Sequence, residues 1–381
     1  MAGLLTPLLA AALAAPALAL SWMPVGHSVR PAEPLRRFER PWFIAEAQSL
    51  VDHRSLEYNA AETAAPVLDL AQTRLYLSLR DGRVRCKFRG QFVWTWVAKG
   101  AVLATPLLDE ASDTLYVAAA DGTLTALNRI TGAVRWTAEL KEELTTSPTL
   151  AGGKLFVMSS DESITAVDAA TGKSVWKFHR DRPAGFTLRG NARPMVAHDL
   201  VFAAFADGSV AALRTADGVA KWSRNVSGTG DYLDVDALEA PPGDTHLYVA
   251  SAKSGVSALD AATGEVGWTR DLIGANHLLV DGPRIYATGR GAVVGLARRD
   301  GRELWRARLP KERFATQPVA IGGLLIFSED RGSLIALDPA TGRARAVLDP
   351  GSGFSQPMAA VPGAGFIVSN GGTLFSLGLL P

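Results

Sequence analysis

One sequence pattern recurs along most of this chain, and it constrains the fold more than any other feature. Three clear copies read LYVAAADGTLTALNRITGAVRW (115–136), LFVMSSDESITAVDAATGKSVW (155–176) and LYVASAKSGVSALDAATGEVGW (247–268). The glycine of the second turn marks the period: Gly90, Gly132, Gly172, Gly218, Gly264, Gly301 and Gly342. Because successive glycines lie 37–46 residues apart, the sequence predicts an array of similar supersecondary units.

Each unit is predicted to contain four β-strands. Alternating apolar residues and short L-Y-V runs are typical of strands, and D-G and T-G pairs suit tight hairpins. A proline-led segment ahead of each unit adds a short first strand. The last strand carries a tryptophan four residues after the glycine in six copies: Trp94, Trp136, Trp176, Trp222, Trp268 and Trp305. Eight copies predict an all-β chain that forms an eight-bladed β-propeller of four-stranded antiparallel blades.

The eighth copy, FIVSNGGTLFSLGLLP, has no outer strand of its own. An open ring would leave unpaired strand edges, so we expect the N-terminal segment PLRRFERPWFIAEA to close it. Trp42 would then take the place of a repeat tryptophan in the outer strand. The predicted organisation is a signal peptide at 1–20, an N-terminal segment with the ring-closing strand at 21–60, and the β-propeller at 61–381.

The N-terminal run MAGLLTPLLAAALAAPALALSW is apolar and contains Ala17 and Ala19, the spacing of a signal-peptide cleavage site. The alternative is an uncleaved membrane anchor, because the run is long enough to span a bilayer. The first interpretation predicts export of the chain to the periplasm.

Composition excludes several classes of function. The 39 lysines and arginines are balanced by 38 aspartates and glutamates, which argues against a nucleic-acid groove. The single cysteine, Cys86, excludes an intrachain disulfide, and the six histidines show no metal-ligand spacing. The sequence therefore predicts no metal site, no catalytic residue and no nucleic-acid partner.

Two consecutive glycine intervals of 46 residues indicate extra length in residues 177–193 and 223–240. Both segments join the last strand of one blade to the first strand of the next. In a propeller all such connections lie on one face, so the two segments are predicted to be enlarged neighbouring loops. Loops on a rigid scaffold commonly carry binding residues.

The composition of these segments suggests a binding surface. An extended backbone would point Phe186 and Leu188 the same way, beside the guanidinium of Arg189, which suits a carboxylate. Asp234 and Asp236 would share one side of the second segment. Alternatively, the apolar pair packs under its own loop, and Arg189 pairs with Asp234 as an internal brace.

The spacing A-x-[DN]-x-x-T-G-x-x-x-W, complete at 166–176 and 258–268, resembles the tryptophan-docking repeat of quinoproteins. Quinone-dependent dehydrogenases of that group carry an adjacent cysteine pair and acidic calcium ligands. A chain with one cysteine cannot supply the pair, so we expect neither an enzyme nor a cofactor. A quinoprotein-like dehydrogenase or cofactor-binding propeller is the alternative.

FTLRG at 186–190 and DVD at 234–236 resemble two loop motifs of the BamB family, periplasmic lipoproteins of the outer-membrane β-barrel assembly (BAM) machine. The resemblance implies a non-catalytic scaffold, peripheral to the outer membrane and monomeric outside its complex. It also implies that the two loops bind a POTRA domain of BamA, through Phe186, Leu188, Arg189, Asp234 and Asp236. No lipobox cysteine is present, so a lipid anchor is not predicted.

Overall fold

The structure is a computed structural model, and it describes residues 42–50, 61–181, 192–309 and 313–379. These residues form 32 strands in eight four-stranded antiparallel sheets, and none of them is helical. The sheets are the blades of an eight-bladed β-propeller, as the repeat predicts. The proposed signal peptide lies outside the described residues.

The first four blades follow one another along the chain. Blade 1 comprises β2 (Val67–Leu68), β3 (Arg74–Ser78), β4 (Arg83–Phe88) and β5 (Gln91–Val97). Blade 2 comprises β6 (Leu107–Asp109), β7 (Thr114–Ala118), β8 (Thr123–Asn128) and β9 (Val134–Glu139). Blade 3 comprises β10 (Thr149–Ala151), β11 (Lys154–Ser159), β12 (Ser163–Asp168) and β13 (Ser174–His179). Blade 4 comprises β14 (Met195–Ala197), β15 (Leu200–Ala204), β16 (Ser209–Arg214) and β17 (Ala220–Asn225).

The last four blades end with one that combines both ends of the propeller. Blade 5 comprises β18 (Val235–Glu239), β19 (His246–Ser251), β20 (Gly255–Asp260) and β21 (Val266–Arg270). Blade 6 comprises β22 (His277–Asp281), β23 (Arg284–Gly289), β24 (Ala292–Ala297) and β25 (Glu303–Arg308). Blade 7 comprises β26 (Val319–Ile321), β27 (Leu324–Ser328), β28 (Leu334–Leu337) and β29 (Ala344–Leu348). Blade 8 comprises β30 (Ala359–Val361), β31 (Ala364–Val368), β32 (Thr373–Leu379) and β1 (Trp42–Ser49).

The second and third strands of each blade are the most deeply buried. Every residue of β7 and of β15 is buried, whereas β9 and β13 at the outer edge alternate between exposed and half-buried residues. Both faces of a blade pack on neighbouring blades, so its middle strands need apolar residues on both sides. This explains why L-Y-V-A runs replace simple alternation in the repeat.

Inter-blade connections lie on one face of the propeller together with the hairpins between second and third strands. We call this the loop face. Backbone hydrogen bonds link a connection to the hairpin of the blade it enters, for example from the Ala120 N–H to the Ala101 carbonyl and from the Arg290 N–H to the Ile273 carbonyl. The connections are therefore held against the scaffold.

The repeat tryptophans join neighbouring blades. The Trp136 ring packs on Tyr116 of its own blade, and its indole N–H donates to the Ala169 carbonyl of blade 3 over 3.1 Å. A Cβ on Gly172 would lie 2.6 Å from Cε3 of Trp136, so only glycine leaves room for the ring. The rings of Trp94, Trp176, Trp222, Trp268 and Trp305 face Gly132, Gly218, Gly264, Gly301 and Gly342 in the same way.

The N-terminal strand closes the ring as predicted, because β1 pairs antiparallel with β32. The register differs from the expected one. Repeat tryptophans lie opposite the middle of the third strand, as Trp136 does opposite Ala126, and the corresponding position in blade 8 is Glu46, opposite Ser376. Trp42 begins the strand, opposite Leu379. A bulge between Ile44 and Glu46, matching the bulges of the other outer strands, sets this register.

At this closure an ion pair lies at the register position of the repeat tryptophans. Glu46 Oε2 lies 3.0 Å from Nζ of Lys87, a buried residue of blade 1. Lys87 precedes the turn glycine Gly90 by three residues, as Ala169 precedes Gly172. A Cβ on Gly90 would meet no described atom within 4 Å.

Candidate functional site

Residues 226–234 connect blades 4 and 5 on the loop face. Asn225 Oδ1 accepts the N–H groups of Ser227 and Gly228 over 3.1 and 2.7 Å, and the Ser227 and Ser251 hydroxyls are 2.6 Å apart. Ser227 also packs so closely on Gly208 that a Cβ there would lie 2.6 Å away. The connection is thereby fixed to the hairpins of both blades.

This connection is no longer than others on the same face, contrary to the sequence prediction. It spans nine residues, as do the connections at 98–106 and 140–148. The extra residues instead lie after the connection, in a longer β18, which pairs with β19 from Val235 onward, and in the turn at 240–245 between these two strands. The connections at 309–318 and 349–358 have ten residues, the connection between blades 3 and 4, at 180–194, has fifteen, and the one from blade 8 to blade 1, at 50–66, has seventeen. The 226–234 connection is therefore of ordinary length for this face.

The tip of the 226–234 connection projects from the face. Tyr232 is 51% exposed and has a φ of 57°, and Asp231 beside it is exposed. Lys253 of the blade 5 hairpin donates to the Thr229 carbonyl. An aromatic ring on a braced tip can bury area against a partner at low cost in conformational entropy.

The two predicted aspartates have different surroundings. Asp234 is 1% exposed at the base of the connection, and its carbonyl accepts the Ala252 N–H over 3.2 Å. Asp236 is half-buried at the irregularity between Val235 and Ala237, and it lines the central cavity. A carboxylate as deeply buried as Asp234 supports the framework and cannot be a first contact for another protein.

The residues 182–191, which include Phe186, Leu188 and Arg189, lie outside the described residues. The structure does describe where this segment leaves blade 3. Arg180 Nε lies 2.6 Å from Asp207 Oδ2, and its Nη1 donates to Ser223 Oγ, so it bridges to the hairpin between β15 and β16 and to β17 of blade 4. The placement of the three residues on a binding surface stays a prediction.

A second exposed apolar area on the loop face was missed at the sequence level. Ile273, between blades 5 and 6, is 75% exposed, and Phe314, between blades 6 and 7, is 37% exposed. They are neighbours, because a Cβ on Gly274 would lie 3.2 Å from Cε1 of Phe314. Isolated apolar residues in connections follow no periodic pattern. Only their location in the inter-blade connections could have indicated this exposed area.

A central cavity of about 410 Å³ is lined by residues from all eight blades. Its charged residues are Arg193, Asp236 and Glu239. Burial raises the pKa of the Glu239 carboxyl against the opposing effect of the Arg193 charge, and Gln317 Nε2 donates to Glu239 Oε1 over 3.3 Å. Burial lowers the pKa of His277 in the same wall to about 4, so this imidazole is neutral at neutral pH.

The cavity does not fit the quinone site that the tryptophan repeat would allow. Cys86 is buried in the packing between blades 1 and 2 and does not line the cavity, so no cysteine pair can form there. Across the described part of the chain, no group of three or more His, Cys, Asp or Glu residues could hold a metal ion. Within the same residues no helix is long and apolar enough to cross a membrane.

Comparison with known proteins identifies relatives of this sequence. The family model described as outer membrane protein assembly factor BamB matches residues 80–243 and 252–347. No curated protein matches the chain.

Solved structures share the fold. BamB from Moraxella catarrhalis superposes with a TM-score of 0.76 at 22% identity, covering 89% of this chain and all of that one. The computationally designed protein Ika8 has a TM-score of 0.70 at 16% identity, covering 87% and 100% of the two chains. The quinohemoprotein alcohol dehydrogenase of Comamonas testosteroni has a TM-score of 0.70 at 14% identity, covering 89% and 76%. At these identities the structural matches establish the fold alone.

Proposed function

This chain belongs to the BamB family of outer membrane protein assembly factors, and we propose that it is a non-catalytic scaffold in that assembly. It acts in the periplasm, at the inner face of the outer membrane. Its loop face binds a POTRA domain of BamA through the connections on either side of blade 4. The observation that carries the proposal is the braced 226–234 connection, which projects Tyr232 over a buried Asp234.

In the proposed contact, the segment that contains Arg189 and the segment that contains Asp234 have different roles. Arg189 meets a carboxylate of the partner, and Phe186 and Leu188 exclude water around it, as apolar neighbours do around interface hot spots. Asp234 keeps the second segment in place, and Asp236 lines the central cavity. Asp234 therefore contributes through the framework, and the exposed tip contributes through direct contact.

The test is binding of the full chain to the isolated POTRA region of BamA, by titration calorimetry. We expect Arg189→Glu and Tyr232→Ala to weaken binding by about tenfold or more without changing the melting temperature. Asp234→Ala should weaken binding and lower the melting temperature together. Leu70→Ala is the control, because Leu70 is 88% exposed on the opposite face.

Two outcomes would contradict the proposal. If Arg189→Glu and Leu70→Ala bind the POTRA region equally well, the loop face is not the interface. If Arg189→Glu binds normally but melts at a lower temperature, Arg189 is an internal brace of the kind that the sequence also allows.

The non-catalytic assignment has its own test. A dehydrogenase would develop a quinone absorbance band and alcohol-dependent dye reduction when supplied with quinone and calcium. We expect neither, because the described cavity offers no cysteine pair and no metal-binding cluster. Substrate-dependent turnover by the loaded protein would establish the alternative function.

The proposed location rests on export of the chain. N-terminal sequencing of the mature protein should find cleavage after Ala19. An intact Met1 in the inner-membrane fraction would instead identify an uncleaved anchor.

A further inference from the structure

The outer strand of blade 1 differs from the other seven outer strands. Strand β5 reads QFVWTWV and contains no charged residue. The others each carry at least one: Arg135, Lys177, Lys221, Arg270, Arg306, Arg345 and Glu46 lie in β9, β13, β17, β21, β25, β29 and β1. Charges on edge strands prevent unwanted pairing with other chains, and β5 lacks this protection.

The solvent side of β5 is apolar as well as uncharged. Val93 is 50% exposed and Val97 is 59% exposed, with the exposed Thr95 between them. The opposite side is occupied, because Trp94 and Trp96 pack into the core between blades 1 and 2. The packing of the propeller therefore does not require the exposed row of Val93, Thr95 and Val97.

The backbone of β5 offers hydrogen-bonding groups along the same row. The Ala98 N–H donates to the Gly82 carbonyl of blade 1. Alternate residues of an antiparallel strand bond to the same side, so Trp96 also bonds inward while Thr95 and Val97 turn their N–H and C=O groups outward. These groups lie at the edge of a four-stranded sheet, where a fifth strand can add.

We propose that the β5 edge binds an extended segment of an unfolded outer-membrane protein by strand addition. This inference rests on the proposed function, from which it takes the substrate class. Strands of outer-membrane barrels alternate apolar and polar residues, lack a partner before assembly, and match an uncharged Val-Thr-Val row. A second copy is a poorer occupant. Two propellers meeting rim to rim would contact through one strand each, short of the roughly 1,200 Å² that stable interfaces bury.

Blade 2 provides a matched control. Thr137 occupies the position of Thr95 in β9, opposite Thr125 as Thr95 is opposite Arg85, but its strand carries Arg135 and Glu139. Proline at either position removes an outward N–H and no internal ladder bond, which edge strands tolerate. Thr137→Pro also loses the hydrogen bond between the Thr137 and Thr125 hydroxyls, so its melting temperature is compared with that of Thr95→Pro before binding is measured.

The probe is an eight-residue peptide that alternates valine and threonine, with a lysine at each end. Alternate N-methylation blocks one of its edges against self-association and leaves the other edge free. We expect it to bind the full chain, and Thr95→Pro or Thr95→Lys to weaken binding by about tenfold or more. Thr137→Pro and Thr137→Lys should bind as the wild type does. A peptide N-methylated on both edges should not bind.

The outcomes separate this proposal from the scaffold function. Equal affinities of Thr95→Pro and Thr137→Pro, or no binding by the wild type, would overturn it. Concentration-dependent dimerisation that Thr95→Pro abolishes would identify a second copy as the occupant and also overturn it. POTRA binding should be unchanged in every Thr95 variant. If POTRA binding fails while the peptide binds at Thr95, the scaffold proposal is wrong and the strand-addition site stands.

Discussion

Six blade interfaces are joined by the same tryptophan contact, whereas the two interfaces that flank blade 8 show no such contact among the side chains that the structure describes. In the six, an indole ring covers a turn glycine of the next blade. Between blades 7 and 8 the tryptophan position holds Ala346, within a hydrophobic cluster that includes Phe354 and Met358. Between blades 8 and 1 it holds Glu46, which pairs with Lys87.

This difference follows from where the ring closes. A docking tryptophan needs the turn between the third and fourth strands of the following blade. Blade 8 has no such turn, because its fourth strand comes from the N-terminus, so a ring at position 346 would have no glycine to cover. The loss of tryptophan in the seventh copy is thus a consequence of the closure, and it needs no separate functional explanation.

The largest effect is expected at a docked interface. Trp136→Ala removes a ring packed between Tyr116 and Gly172 and leaves the Ala169 carbonyl without its indole donor. We expect the free energy of unfolding to fall by about 3–5 kcal/mol, measured by denaturant titration. Thr137→Ala, one residue along the same strand, should cost less than about 1 kcal/mol. Similar losses in both variants would show that docking does not hold the blades.

Substitutions at two turn glycines compare a docked interface directly with the closure between blades 8 and 1. Gly172 and Gly90 have φ angles of 73° and 85°, so alanine strains both turns alike. At Gly172 the new methyl group would collide with Trp136, whereas at Gly90 it would meet no described atom. Gly172→Ala should therefore cost about 2–4 kcal/mol and Gly90→Ala about 1 kcal/mol, by thermal or chemical unfolding. Equal costs would mean that the contact contributes nothing beyond backbone strain.

Restoring the repeat residue at the closure should harm the protein. Ala346 is buried opposite Ala336, and Ala346→Trp would force a large ring into a packed hydrophobic cluster. We expect a loss of about 1–3 kcal/mol from overpacking, although the change brings the seventh copy closer to the other six. A gain in stability would show that blade 8 can accept a docked ring after all.

The smallest effect is expected for the closing ion pair. Glu46→Gln keeps the shape and removes the charge that Lys87 faces, and because the Glu46 side chain is half-exposed the cost should be about 1 kcal/mol. Salt screens such a pair, so the difference from wild type should shrink as ionic strength rises. A double-mutant cycle with Lys87→Met isolates the pair. A coupling free energy of zero at low salt would show that the ion pair does not stabilise the closure.

The sequence predicted the fold well, because the glycine period and the docking tryptophans express local spacing. It also predicted that the N-terminal segment closes the ring. Trp42 lies in the outer strand of blade 8 as predicted, but the bulge between Ile44 and Glu46 places Glu46 at the register of the repeat tryptophans, which residue type alone did not indicate.

The candidate site was less predictable. The sequence located the 226–234 connection, but it did not show that extra residues extend β18 or that Asp234 is buried. Both features depend on packing against the Gly208 and Ser251 hairpins, which lie on other strands. Packing between residues that are distant along the chain produces no periodic pattern in the sequence from which it could be predicted.

The pairing of β1 with β32 also sets an order of events during folding. The two strands lie more than 300 residues apart in sequence, so their meeting carries the largest loop-closure entropy of any pairing in the ring. Neighbouring blades can form from local contacts as the chain emerges, while β1 must wait for the final blade. Until β1 pairs with β32, the molecule is an open ring with unpaired strand edges at both ends. How long the ring stays open, more than how firmly it finally closes, then governs its exposure to misassembly.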